Sequence, residues 1–204
     1  IEHSLSVGQI YDDVVNLFAK TRAGYTATLL VAYGGQEGEK YFYQHDEVWK
    51  NEKLQSFFPP RQIDARSRRR GMSDEDDYNH KLVAAGLKKI SEAGGLVTLG
   101  AHGQLQGLGA HWELWAISHG GMSNHDALRA ATVNGAEYLG MEADLGSLEV
   151  GKLADLIVLD GNPLEDIENS DSVSMTIVNG VVYDANSMDQ LWPQQIERGR
   201  FHFQ

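Results

Sequence analysis

Hydrophobic side chains recur along this chain with two periods, and the period changes near residue 144. In 9–20, Ile10, Val14, Leu17 and Phe18 fall at helical spacing, which predicts an amphipathic helix. The run 26–33 (TATLLVAY) reads as a strand, so the order is a strand end at His3, a helix and a strand, the rhythm of a βαβ unit. From 34 to 60 no period holds. The segment is rich in aromatics (Tyr41, Phe42, Tyr43, Trp49, Phe57, Phe58) and reads as an elaborated loop, lying over a site or packed on a neighbouring element. After Pro59-Pro60, residues 61–70 read as helix.

In 77–93, Leu82, Val83, Leu87 and Ile90 share a helix face, and Gly94-Gly95 supplies a C-terminal stop. Leu96-Val97-Thr98-Leu99 is then a short buried parallel strand, making a second αβ unit. Residues 112–118 are predicted helical. Ser123, with Asp126 in the capping-box position, opens a further helix that runs through Leu128, Ala131 and Leu139 to Gly140. Beyond it the period becomes that of strands: 154–159, 173–178 and 181–184, the last two joined by Asn179-Gly180, a strong hairpin signal. The tail is predicted to be a small antiparallel sheet, with Asp155 and Lys152 forming its turns.

Composition narrows the function classes. The 204 residues suffice for one substantial domain, and 42% of them are hydrophobic, which predicts a packed core. The formal charge of −12 argues against nucleic acid and against anionic membrane surfaces as partners. The basic cluster 66–70 is followed at once by the acidic run 73–77 and reads as a solvated helix end with local charge pairing. Without cysteine, any metal must be held by His, Asp, Glu or a modified Lys. No apolar run reaches membrane-spanning length and no signal peptide is visible, so periplasm and cytoplasm both stay open.

The candidate chemistry sits at strand ends. Leu99 is followed by Gly100-Ala101-His102-Gly103, then by a glycine-rich loop and a second imidazole, His111. Polar groups at the carboxyl ends of strands occupy the face where (β/α) folds build active sites. His102 is thus a site candidate or a loop histidine held by hydrogen bonds. His111 either reaches the site or packs on Trp112 or Trp115. His125 reads as a polar residue of a first helical turn, and His45, His80, His119 and His202 carry no second signal.

The phrase Leu145-Gly-Ser-Leu-Glu-Val-Gly-Lys-Leu-Ala-Asp-Leu-Ile-Val-Leu-Asp160, then Asn162-Pro163-Leu164, preceded by Ala127-Leu-Arg-Ala-Ala-Thr-Val-Asn-Gly-Ala-Glu-Tyr-Leu-Gly140, resembles the carboxyl-terminal third of metal-dependent amidohydrolases. The likeness is to the branch with imidazolonepropionase and the prolidase-like dipeptidases, and Gly100-Ala101-His102-Gly103-Gln104 with His111-Trp112-Glu113 afterwards is similar to a subgroup often fused to a Tol-type β-propeller. Glu2-His3 resembles that family's sixth-strand Glu-His, and Leu99-Gly100-Ala101-His102-Gly103 falls where the family has its eighth-strand Gly-Thr-Asp.

The resemblance implies an α/β fold: strands 6–8 of a (β/α)8 TIM-type barrel over 1–143, then strands of a small β-sandwich over 144–204. It also implies one or two divalent metals, zinc first, which activate water to attack a C–N bond of a peptide-like or cyclic amide. His3 and His102 take metal-ligand positions, and His102 and His111 are the candidate catalytic residues. His102 departs from the family's acid, since an imidazole adds no negative charge. The first-, fourth- and fifth-strand ligands of the family have no counterpart here. This predicts a chain inactive alone that associates with an amino-terminal portion or with its own copies. The rival expectations are a silent fragment that folds by oligomerising and a non-enzymatic ligand-binding module.

Overall fold

The computed structural model describes residues 1–5, 8–31, 35–68, 70–102 and 105–204. In order along them come α1 (Asp12–Thr21), β1 (Gly24–Thr26), α2 (Gly38–His45), α3 (Glu52–Phe57), α4 (Pro60–Ser67), α5 (His80–Glu92), β2 (Leu96–Thr98), α6 (Leu108–His119), α7 (Asn124–Ala130), α8 (Val133–Tyr138), β3 (Leu156–Leu159), β4 (Val173–Val178), β5 (Val181–Asp184) and β6 (Gln190–Trp192). Short 3-10 turns occur at Leu29–Val31, Val48–Lys50, Glu75–Asp77 and Ile167–Asp171. The fold is α/β, with two separate sheets among the described residues. No described helix is long and apolar enough to cross a membrane.

β1 and β2 pair in parallel, with Gly24, Tyr25 and Thr26 opposite Leu96, Val97 and Thr98. All six residues are buried, as expected of strands covered on both faces. Glu2 adds a parallel bridge to Thr26 on the outer side of β1. Three parallel segments thus lie side by side, each followed by residues of interest. Among the described residues they do not close into a barrel.

Helices pack around this short sheet, and the centre of the packing is α6. Residues Trp112 to Ile117 are all buried, so this part of the helix has no solvent face. Trp112 stacks on Phe42 of α2 with ring centroids 5.2 Å apart and planes within 6°. α5 crosses α6 at its end: a Cβ on Gly120 would lie 2.1 Å from the Ala84 carbonyl carbon. Because the obstacle is backbone, Gly120→Ala must push two helices apart; a loss of about 1–3 kcal/mol or more is expected in urea unfolding. An unchanged midpoint would show that the crossing is looser than this geometry.

The tail forms an antiparallel sheet in the order β3-β4-β5-β6. The expected hairpin is present, with Asn179 and Gly180 both at positive φ (48° and 78°) and Val178 paired with Val181. Asp155 accepts a hydrogen bond from the Asn179 amide, and the Gly180 amide donates to Ala154 O at 3.1 Å. Lys152 donates to the carbonyl oxygen of Glu142 and to Ser147 Oγ, both at 2.6 Å, so both residues form turns as expected.

Other expectations need correction. The strand predicted over 26–33 ends at Thr26 and gives way to the Leu29–Val31 turn; its last two residues, Ala32 and Tyr33, lie outside the described residues. The stretch expected to be irregular over 34–60 carries helices at Gly38–His45 and Glu52–Phe57 (Gly34 lies outside the described residues), and Phe42 and Tyr43 belong to the core. Leu17, placed on the buried face of α1, is exposed, and Phe18 carries the packing. The helix expected from Ser123 to Gly140 is two helices. Ser123 Oγ does accept from the Asp126 amide (3.1 Å), but Thr132 leaves helical geometry and Leu99 N donates instead to Ala130 O. In the basic cluster Arg68 pairs locally with Asp64, whereas Arg66 meets the buried Glu39; Arg69 is outside the described residues.

Candidate active site

The three parallel segments bring their following residues to one end. The Thr26 and Thr98 hydroxyls touch across β1 and β2 at 2.6 Å. Just beyond them the backbone turns sharply three times: His3, Thr28 and His102 all have positive φ, at 70°, 51° and 56°. For residues with a Cβ, and a β-branched Thr above all, such angles cost of order 1–3 kcal/mol each and persist only where surroundings enforce them. Gly100 lets the segments approach, since a Cβ there would sit 2.4 Å from Thr26 Cγ2.

His3 and His102 meet at this end, with ring centroids 5.1 Å apart and planes at 64°. His3 Nδ1 lies 3.0 Å from Thr28 Oγ1. The segment after His3 is tied to β1, because Ser4 Oγ donates to Ala27 O (2.6 Å) and Leu5 N donates to the Tyr25 hydroxyl (3.0 Å). Gly103 and Gln104, which follow His102 in the sequence motif, lie outside the described residues.

Behind this end sits a residue that the sequence did not single out. Glu113 is 1% exposed, yet its carboxylate accepts from Leu29 N (2.7 Å) and Leu30 N (3.0 Å). Burial pushes this carboxyl up to about 7, against the opposing pull of the two amides. Its partners are backbone groups more than eighty residues away in sequence, so no motif announces it.

His111 is turned elsewhere. Its Nδ1 lies 3.2 Å from Ser170 Oγ, which also accepts from Trp115 Nε1 at 2.9 Å. Burial lowers its pKa, with the Asp171 charge opposing, which favours the neutral ring. It lines a cavity of about 820 Å³ between α3, the start of α6 and strands β4 and β5, together with Phe57, Phe58, Lys53 and Phe201. The structure therefore brings together His3 and His102 and points His111 at Ser170. A further imidazole pair, His80 Nε2 and His119 Nδ1 at 3.2 Å, packs on Tyr41 and Phe42. Burial first, then the neighbouring His119, holds His80 down to about 3.

As a metal centre the set is incomplete. No group of three or more His, Cys, Asp or Glu among the described residues could hold a metal ion. A catalytic zinc takes three protein ligands and a water, and His3 with His102 gives two imidazoles. The two imidazoles expected as ligands lie side by side; among the described residues no third such group joins them.

Comparison with known proteins adds what geometry alone lacks. Residues 84–183 match the amidohydrolase family. A 5'-deoxyadenosine deaminase of Methanobrevibacter smithii is 40% identical over 65 residues, 32% of this chain and 14% of that protein. An imidazolonepropionase of Symbiobacterium thermophilum is 57% identical over 44 residues, 22% of this chain and 10% of that protein. Among solved structures, a Xaa-Pro dipeptidase with bound methionine in the active site superimposes with a TM-score of 0.56 at 25% identity, covering 89% of this chain and 40% of that one. The chain thus spans well under half the length of each.

Proposed function

From the match of residues 84–183 to the amidohydrolase family we propose that this chain is the carboxyl-terminal portion of a metal-dependent enzyme that hydrolyses a C–N bond in a peptide-like or cyclic amide. The observation that carries the reading is the meeting of His3 and His102 at the ends of neighbouring parallel segments. In this reading Ile1-Glu2, β1 and β2 are the sixth to eighth strands of a (β/α)8 barrel, and 144–204 contributes to a β-sandwich.

A bound divalent metal, zinc first, would supply a hydroxide by lowering the pKa of its water. The chain's own part is to present two imidazoles from the ends of neighbouring parallel segments. His3 is a ligand, and His102 is a second ligand or a base. The remaining donors come from outside this chain, through an amino-terminal portion or a second copy, and no reaction step is assigned to the chain alone.

Zinc titration of the chain by calorimetry tests this. Binding is expected to weaken by at least about tenfold in both His3→Ala and His102→Ala, since losing a ligand exceeds the usual cost of losing an outer partner. Hydrolysis of dipeptides or cyclic amides is expected only once the missing donors are added. Zinc binding untouched by both substitutions would overturn the reading. The cavity of about 820 Å³ favours a second reading, a ligand-binding module without turnover, in which Phe57, Phe58 and His111 contact the ligand.

A further inference from the structure

We infer that Glu113 is a positioning residue for His3: through the Leu29–Val31 turn it fixes Thr28, whose hydroxyl holds the His3 ring with its proton on Nδ1 and leaves Nε2 bare. The functional use of that bare nitrogen rests on the hydrolase reading above; the arrangement itself does not.

The proton assignment follows from the oxygens around Thr28. Its Oγ1 lies 2.7 Å from Ala27 O and 3.0 Å from His3 Nδ1. A carbonyl can only accept, so the single hydroxyl proton belongs in the shorter contact, on the line to Ala27 O. The opposite assignment, with the hydroxyl donating to His3, leaves two oxygens at 2.7 Å with no proton between them. With its proton committed, Thr28 Oγ1 can only accept from His3, and Nδ1 must carry the hydrogen. Nε2 is then the nitrogen with a free lone pair, the form in which an imidazole binds a metal or takes a proton.

Glu113 enters because Thr28 would not keep this position unaided. Its φ of 51° is unfavourable for a β-branched residue. The next two residues, Leu29 and Leu30, are wholly buried, and their amides would be orphaned without an acceptor. Both oxygens of Glu113 supply it, as an N-cap does, but from a helix distant in sequence. The turn then closes with Val31 N donating to Thr28 O at 3.1 Å. Remove the carboxylate and two buried donors must find partners by moving, which carries Thr28 away from His3.

The test is the tautomer of His3, read by two-bond ¹H–¹⁵N correlation on chain labelled with ¹⁵N-histidine at pH 8, without metal or substrate. The signal is assigned by its loss in His3→Gln. The parent should show Nδ1 protonated and Nε2 bare. Thr28→Val should shift the ring toward the Nε2-protonated form, and Thr28→Ser, which keeps the hydroxyl, should restore the parent pattern. Glu113→Gln should give a mixture of both forms, and Glu113→Asp takes its place if the Gln variant does not fold. A parent His3 protonated on Nε2, or a Thr28→Val spectrum identical to the parent's, overturns the assignment. A folded Glu113 variant with the pure parent pattern removes Glu113 from it. Because no metal or turnover enters, failure here is distinct from failure of the hydrolase reading.

Discussion

Trp112→Ala is expected to destabilise the fold by about 3–5 kcal/mol and to lower Tm by roughly 10 °C or more. The side chain is fully buried. One face stacks on Phe42, and Tyr43 meets it edge-on with centroids 5.2 Å apart, so truncation opens a void bounded by two large rings. Neither ring can collapse into it readily: Phe42 also packs edge-on against Trp115, and the Tyr43 hydroxyl donates to Glu39. Trp112→Phe is the control. Among the described residues the indole Nε1 has no hydrogen-bond partner, so Phe removes an unsatisfied donor while keeping most of the volume. A loss below about 1.5 kcal/mol is expected for it. Urea unfolding of both variants decides the matter, and an Ala variant within about 1 kcal/mol of the parent would mean that α6 is not the centre of the core.

Glu113→Gln should make the fold more sensitive to acid. Glu113 is raised from 4.5 to about 7, so folding favours its protonated form; its contribution is full below pH 4.5 and is lost as pH rises through about 7. His80 works in the other direction. Lowered from 6.5 to about 3, it contributes fully above pH 6.5, and that contribution is lost as pH falls toward 3. Between pH 4.5 and 6.5 the two slopes oppose each other, each roughly 1.4 kcal/mol per pH unit for one proton. His119 and His111, also lowered by burial, act in the sense of His80. Glu113→Gln strips away the opposing slope. Stability measured by urea unfolding should then fall by about 2 kcal/mol more across that window in the variant than in the parent. Parallel curves would show that Glu113 is ionised in the folded chain throughout.

Which parts of this were legible in the sequence follows from where the forces act. α5 and β2 could be read because their partners reward a local period: Val83, Leu87 and Ile90 repeat at helical spacing and are buried, although Leu82, expected on the same face, is exposed, and a glycine pair stops the helix, with Gly94 at φ 85°. The tail sheet was legible because a two-residue turn dictates its register. β1 was overextended because the force that ends it is remote. Leu29 and Leu30 look like strand residues, and only the Glu113 carboxylate, brought in by α6, turns their amides aside. The segment 34–60 hid its helices because they are short and their aromatics point both inward, as Phe42 does, and outward to the cavity, as Phe57 does.

At the candidate site, His3 and His102 could be found because strand ends are places where sequence order and spatial position coincide. His111 could not be placed because it lies on a helix buried nearly all round, where no face is marked as the one toward the site. Glu113, beside it in sequence, was passed over for a related reason: it acts on backbone, and backbone leaves no trace in residue identity.

The Asn179-Gly180 turn also bears on how this protein ages. At an Asn-Gly pair the glycine nitrogen can attack the asparagine side-chain carbonyl, closing a ring that loses ammonia and reopens largely as isoaspartate. Here the Gly180 N–H is engaged by Ala154 O, and the Asn179 amide is held by Asp155, so the nucleophile is committed elsewhere while β3 stays on the sheet. Chemical damage at this turn is therefore a clock for local opening: it records the time β3 has spent detached, not the time the protein has spent in the tube.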